Sequence, residues 1–218
     1  MAVKTYSAGV TLSPHFKSQE FRCKCCGKIV VDTKLVDLLE SLFPVLELGK
    51  INVISGYRCA KHDKEVGGRG AGSHVEGYAA DVRCFYKDGT RVPSSVVALT
   101  LECMGHRGGI GYRCGGVADS AGNIHVDTKS RKWCGDESRS MTATACNSFF
   151  NYLLPFDVTV IDKTGLNVRQ TAPIGTVINF LPSGRTVRVT EVNSAHTWGR
   201  TEKGWICIKD KYVRFGRR

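Results

Sequence analysis

No stretch of this 218-residue sequence stays apolar over the roughly 18 residues that a membrane-crossing helix needs, so no helical span is expected. The opening segment MAVKTYSAGVTLSPHFKSQE lacks an apolar core behind its lysine, so no secretory signal is expected and synthesis in the cytoplasm is. No His-Glu-x-x-His pair is present, which removes the commonest metalloprotease signature. A dense Lys/Arg run, a basic helix and the two CxxC pairs of a zinc ribbon are all missing. Nucleic acid is therefore not an expected partner.

What is present is ordinary in bulk and unusual in detail. A hydrophobic content of 42% with 23% charged residues fits a folded globular chain with no long disordered stretch. The formal net charge is +11, and from Asp157 onward eleven Lys and Arg face five Asp and Glu. Such an excess implies either a solvated basic surface or an anionic partner. Ten cysteines is a high count. Without an export signal they read as reduced thiols or metal ligands rather than a disulfide framework. Cys23, Cys25 and Cys26 cluster in CKCC, and the rest are scattered. A structural metal site at Cys23–Cys26 helped by Cys59 stands open beside buried thiols and disulfides formed after release.

The patterning alternates between helix and strand periods. DTKLVDLLESLFPVLE (32–47) places Leu35, Leu38, Leu39 and Leu42 at helical spacing with Asp32 as N-cap. Residues 50–58 then read as a buried strand, 60–66 as a short helix, and GGRGAGS as a glycine-rich loop. Strand 78–86, helix 93–105, and two strands in GGIGYRC and NIHVDTKSRKW follow. Without a strict strand-helix-strand rhythm, the expected class is α+β, with a small antiparallel sheet and helices. From Val158 onward seven short strand-like stretches alternate with Gly, Pro and Asn turns, which reads as a small all-β barrel. The expected domains are 1–150 and 151–218.

One constellation suggests chemistry. GSHVEGYAAD (72–81) offers His74 in a loop and Asp81 on the following strand, with Gly77 letting the chain bend between them. NIHVD offers His125, and the period-2 alternation of a strand puts Asp127 on the same face. If the two strands lie side by side, His74, Asp81 and His125 meet. His and Asp are good ligands for a zinc ion that keeps one position open. Taken singly, each of these residues is equally an ordinary loop histidine, strand-end carboxylate or exposed pair.

SGYRCAKHDKEVGGRGAGSHVEGYAADV, followed by GIGY and IHVDTKSRKW, resembles the M15 peptidases, zinc D-Ala-D-Ala carboxypeptidases and endolysin peptidases. The family's pattern is met at Ser73, His74, Gly77, Ala79 and Asp81, its SGYR element at Ser55–Arg58, and its distal histidine at His125. The resemblance covers about residues 12–134 and implies Zn2+ held by His74, Asp81 and His125. It implies Arg58 beside the substrate carbonyl, stabilising the developing oxyanion, and Ser73 and Tyr57 beside the substrate. Many members carry an acid three residues before the last histidine, where this chain has Gly122. Asp127 is then the first candidate for the general base or, alternatively, a partner orienting a ligand. Asp119 and Glu76 are the lesser candidates.

GLNVRQTAPIGTVINFLPSGRTVRVTEV with TWGRTEKGWICIKDKYVRF resembles a bacterial SH3 domain. This implies binding to cell-wall peptides or anionic wall polymers, with Trp198, Trp205 and Tyr212 either lining a groove or serving as core and rim residues of the barrel, the latter more plainly for Trp205. Together the resemblances imply a monomeric, zinc-dependent peptidoglycan peptidase acting on stem peptides. A phage or prophage endolysin that reaches the wall after release fits best. The rivals are a non-catalytic, zinc-containing peptidoglycan-binding protein, a zinc-dependent nucleic-acid binder and a cytoplasmic trimmer of wall precursors.

Overall fold

The computed structural model describes residues 3–114, 118–130, 133–136, 144–145 and 148–216. The chain divides into two compact units: Met1–Val97 with Arg107–Ala145, and Ala98–His106 with Cys146–Arg218. Among the described residues no helix is long and apolar enough to cross a membrane.

The first unit is α+β. A short antiparallel pair, β1 (Val3–Thr5) and β2 (Val30–Asp32), leads directly into α1 (Thr33–Leu46). The Asp32 carboxylate caps that helix by accepting the Lys34 N–H at 3.4 Å, as its position in the sequence predicts. Leu35, Leu39, Leu42 and Leu46 are fully buried along one stripe, and the helix continues through Pro44. β3 (Leu48–Ser55), α2 (Ala60–Glu65), β4 (Ala79–Tyr86), α3 (Ser94–Cys103), β5 (Gly109–Cys114) and β6 (Asn123–Asp127) follow. β7 (Trp133–Asp136) and β8 (Thr144–Ala145) complete a six-stranded sheet in the order β3-β4-β6-β5-β7-β8.

Among the described pairings of this sheet only β5–β7 is parallel, so the sheet is antiparallel at the centre. The single strand that NIHVDTKSRKW suggests is broken at Asp127. The Asp127 carboxylate accepts the N–H of Lys129 at 3.0 Å, an Asx-type turn that ends the ladder.

The central register positions the site. β4 pairs with β6 so that Asp81 lies directly opposite His125, and Ala79 opposite Asp127. Asp81 also pairs with Ser55, and His125 with Gly111. Alternation therefore places Asp81, His125 and Asp127 on one face of the sheet. A one-residue slip would send all three to the other face, so the hydrophobic alternation Ala80, Val82, Ile124 and Val126 protects this register.

The second unit holds the last residues of α3 (Ala98–Cys103), a short α4 (Phe149–Tyr152) and eight strands. These are β9 (Phe156–Val160), β10 (Leu166–Arg169), β11 (Val177–Leu181), β12 (Thr186–Val189), β13 (Glu191–Val192), β14 (Trp198–Thr201), β15 (Gly204–Cys207) and β16 (Val213–Phe215). They form two antiparallel sheets, β11-β10-β15-β14-β13 and β12-β9-β16. The described pairings do not close a barrel, in contrast to the sequence expectation. RTVRVTEV, expected as one strand, splits at Thr190, whose N–H bonds Arg200 at 2.9 Å. The break hands β12 to one sheet and β13 to the other, the way strands turn corners between packed sheets. Val158, Val168, Val189, Ile206, Ile208 and Phe215 fill the interior.

Candidate active site

Three side chains from three elements converge. His74 lies in the loop between α2 and β4, Asp81 on β4 and His125 on β6. His74 Nε2 is 3.2 Å from Asp81 Oδ1 and 3.1 Å from His125 Nδ1, and His125 Nδ1 is 3.1 Å from Asp81 Oδ1. The loop is held so that this is possible. Arg58 N–H bonds the carbonyl of His74 at 3.2 Å, and Tyr78 N–H bonds that of Ser73 at 2.8 Å. Gly77 has φ +82, and a Cβ there would meet the Val30 side chain at 2.9 Å, so only glycine makes this turn.

The protonation pattern of the triad is constrained. His74 Nδ1 lies 2.8 Å from the carbonyl of Gly56, which accepts and therefore requires a proton on that nitrogen. In the neutral ring, Nε2 then presents a lone pair toward the carboxylate oxygen of Asp81 and toward His125 Nδ1. Acceptors this close, buried or nearly so, need a proton or a cation between them. Burial alone would raise the pKa of Asp81, but the two imidazoles outweigh it and hold it well below the usual carboxylate range. A metal ion meets the same demand, and among the described residues these three atoms form one of two clusters that suit one.

Each of the three side chains is backed by a further group. The outer oxygen of Asp81 accepts from Arg58, whose Nε also donates to Ser55 Oγ at 2.8 Å and whose Nη1 reaches Asp63 at 3.4 Å. Asp63, itself buried, accepts the Gly70 N–H at 2.9 Å and so ties Arg58 to the glycine-rich loop. Behind His125, Asp127 Oδ2 stands 3.6 Å from Nε2 and accepts the Ser73 hydroxyl at 2.9 Å. Asp127 Oδ1 accepts the N–H groups of Gly109 and Lys129, each at 3.0 Å. Burial would push Asp127 upward, yet His125, Gly109 and Ser73 together hold it far below the ordinary carboxylate range.

The remaining sequence candidates are elsewhere or otherwise engaged. The Asp119 carboxylate accepts from Ser95 N–H at 2.7 Å and from the hydroxyls of Ser94 and Ser95, holding the start of α3. Glu76 pairs with Lys129 at 2.7 Å on the surface. Tyr57 lines a cleft with Gln19, Arg22, Ser55, Gly56 and His62. Trp198 and Tyr212 belong to the second unit: Trp198 heads β14, and Lys211 stacks on the Tyr212 ring at 4.7 Å. Gly122 is packed, with Arg113 Cα 3.1 Å from where a Cβ would stand. Sequence reasoning missed the links Arg58–Asp81 and Ser73–Asp127, because each joins segments separated along the chain, and the short-range link Arg58–Asp63, because none of the three has a characteristic spacing.

Comparison with known proteins agrees with this geometry. Neither a search of curated proteins nor one of solved structures yields a match. A scan of family models matches Peptidase M15 over residues 14–127, a span that contains Arg58, His74, Asp81, His125 and Asp127. That span is just over half of the sequence, and the chain belongs to the M15 peptidase family.

Proposed function

We propose that this peptidase is zinc-dependent and hydrolyses an amide bond in peptidoglycan stem peptides, either the terminal D-Ala-D-Ala bond or an internal link. The convergence of His74 Nε2, Asp81 Oδ1 and His125 Nδ1 carries the reading. Their mutual distances of 3.1 to 3.2 Å approach the edge of about 3.3 Å expected when bonds of about 2.0 Å meet tetrahedrally at zinc. Three protein ligands leave a fourth position for water or substrate. When bound, zinc supplies a polarising charge at the scissile carbonyl and a water acidic enough to attack near neutrality.

The protein's own groups divide the remaining work. Arg58 fixes the outer oxygen of Asp81, which would leave the inner oxygen to hold the ion, and its charge would add to the field at the carbonyl oxygen. Asp127 holds His125 from behind and is occupied by three N–H or O–H donors. Its role is therefore positioning rather than proton abstraction, and Ser73 supports Asp127 rather than the substrate. We assign the second unit to wall binding as an SH3-like module, because from Asp157 onward eleven Lys and Arg face five Asp and Glu. Trp198 and Tyr212 are its candidate contact residues. Attachment to an insoluble polymer raises the local concentration of substrate at the catalytic unit. An endolysin acting on the wall after release has this organisation.

The test is incubation of the full chain with purified peptidoglycan, with and without a chelator, and mass spectrometry of the released fragments. Zinc-restorable release of peptides or D-Ala is expected, and the fragment masses name the bond. A non-catalytic wall-binding protein is the second reading. It is favoured by the engagement of Asp127 and Asp119 and by Gly122 where many relatives carry an acid. Tight zinc and wall binding without any fragment release would establish it instead.

A further inference from the structure

The other cluster of ligating atoms lies outside the site described above. The Sγ atoms of Cys23, Cys26 and Cys59 lie within 4.8 Å of one another. All three thiols are free, and so is Cys25. Four bonds of about 2.3 Å meeting tetrahedrally at one ion set sulfurs about 3.8 Å apart, so small side-chain rotations close this cluster onto a metal.

The backbone is arranged for that purpose. Cys23 N–H bonds the carbonyl of Lys28 at 2.9 Å, and Gly27 N–H bonds that of Cys23 at 3.0 Å. Gly27 takes φ +73, a left-handed turn that a side chain resists. This tight loop presents the Cys-x-x-Cys pair of Cys23 and Cys26 together, a spacing used by structural zinc sites. Backbone N–H groups also point at sulfur: Cys59 N–H at Cys23 Sγ, 3.3 Å, and His62 N–H at Cys59 Sγ, 3.5 Å. Donors of this kind offset the negative charge that thiolates bring to a metal. Cys25, exposed and free, lies beside Cys26 in the same loop and is the nearest remaining thiol along the chain to complete a four-sulfur set.

We propose that Cys23, Cys25, Cys26 and Cys59 form a second, structural metal site, closed by four sulfurs and selective for zinc. Thiolates favour soft or borderline ions, and a four-sulfur set leaves no position for water. The ion would staple the 22–28 loop to the residue that follows Arg58. The same two segments already touch through Tyr57 N–H and the carbonyl of Phe21 at 2.9 Å. Such a site would stabilise the turn carrying Arg58 without taking part in hydrolysis.

The experiment is metal analysis of the full-length protein by mass spectrometry, combined with cobalt substitution. Expected are two ions per chain in the wild type, one in His74→Ala and one in Cys59→Ser. The cobalt form should show a near-ultraviolet thiolate-to-metal band that survives His74→Ala and vanishes in Cys59→Ser. Should Cys59→Ser fail to fold, alkylation of the wild type decides. The four thiols should be protected until a chelator is added, then modified together. A single ion lost with His74→Ala, no thiolate band, or the four cysteines recovered as disulfides or alkylated equally without chelator would overturn the proposal. Because each arm reads one cluster, failure here leaves the triad's own test intact.

Discussion

The two clusters of metal-ligating side chains are built on opposite plans. His74, Asp81 and His125 offer nitrogen and oxygen atoms from two strands and a loop, brought together by long-range pairing across β4 and β6. Cys23 and Cys26, with Cys25 beside them in the proposed set, offer sulfur from one tight turn, and Cys59 comes from afar. In the triad every ligand is braced from behind by a side chain or carbonyl: Gly56, Arg58 or Asp127. In the sulfur cluster the bracing groups are backbone N–H donors. Three braced ligands would hold an ion while leaving it reactive, whereas four sulfurs would enclose it. The first plan suits chemistry and the second suits stability.

The largest expected effect tests that division directly. His74→Ala or Asp81→Ala should abolish peptidoglycan cleavage and remove one metal ion, while shifting the thermal midpoint little. Cys59→Ser should do the reverse, lowering the midpoint while leaving kcat within a few-fold. Calorimetry and fragment analysis on the same preparations measure both. If His74→Ala unfolds the protein and Cys59→Ser silences it, the assignment of roles is inverted.

How much of this was legible beforehand follows from what each feature depends on. Asp81 and His125 could be paired from two amphipathic strands, because alternation fixes which side chains share a face. Asp127 was placed on the correct face for the same reason, but its role was not readable. The positioning role proposed for it rests on Ser73, Gly109 and Lys129 occupying its oxygens, contacts made by loop geometry. The helix over 33–46 was legible from its leucine stripe and Asp32 cap. The pairing of β1 with β2 was not, since three-residue strands carry too little pattern. In the second unit the strand stretches were visible, but their division into two sheets turns on a break at Thr190 within an unbroken β-like run.

Arg58 comes next in expected magnitude. Its guanidinium engages Ser55, Asp63 and Asp81 at once, a fork that an ammonium group cannot reproduce. Arg58→Ala should lower activity by about 100-fold, and Arg58→Lys should restore little of it. A lysine variant with near-native kcat would show that charge alone matters. Asp127→Asn should be milder. As a positioning group it tunes His125, so metal affinity should fall about 10-fold and saturating zinc should recover most activity. A general base would behave differently: excess zinc would leave the loss unchanged.

The smallest effect separates the clustered thiols from a cysteine that belongs to neither cluster. Cys84 sits on β4 opposite Ile51, fully enclosed, and burial pushes its pKa up to about 12. In the unfolded chain the thiol ionises near its ordinary value of 9.0. Between those values the unfolded state loses a proton that the folded state keeps, so stability present below pH 9 declines as pH rises. The limiting slope is about 1.4 kcal/mol per pH unit. Urea unfolding at pH 9.5 and pH 10.5 should therefore show wild type losing on the order of 1 kcal/mol more than Cys84→Ala over that interval. The cavity left by the alanine costs the variant stability at both pH values and so cancels from the difference. Equal losses in the two proteins would mean that water reaches Cys84 through the β3–β4 pairing. The contrast between inert and ligating thiols would then have to rest on the metal alone.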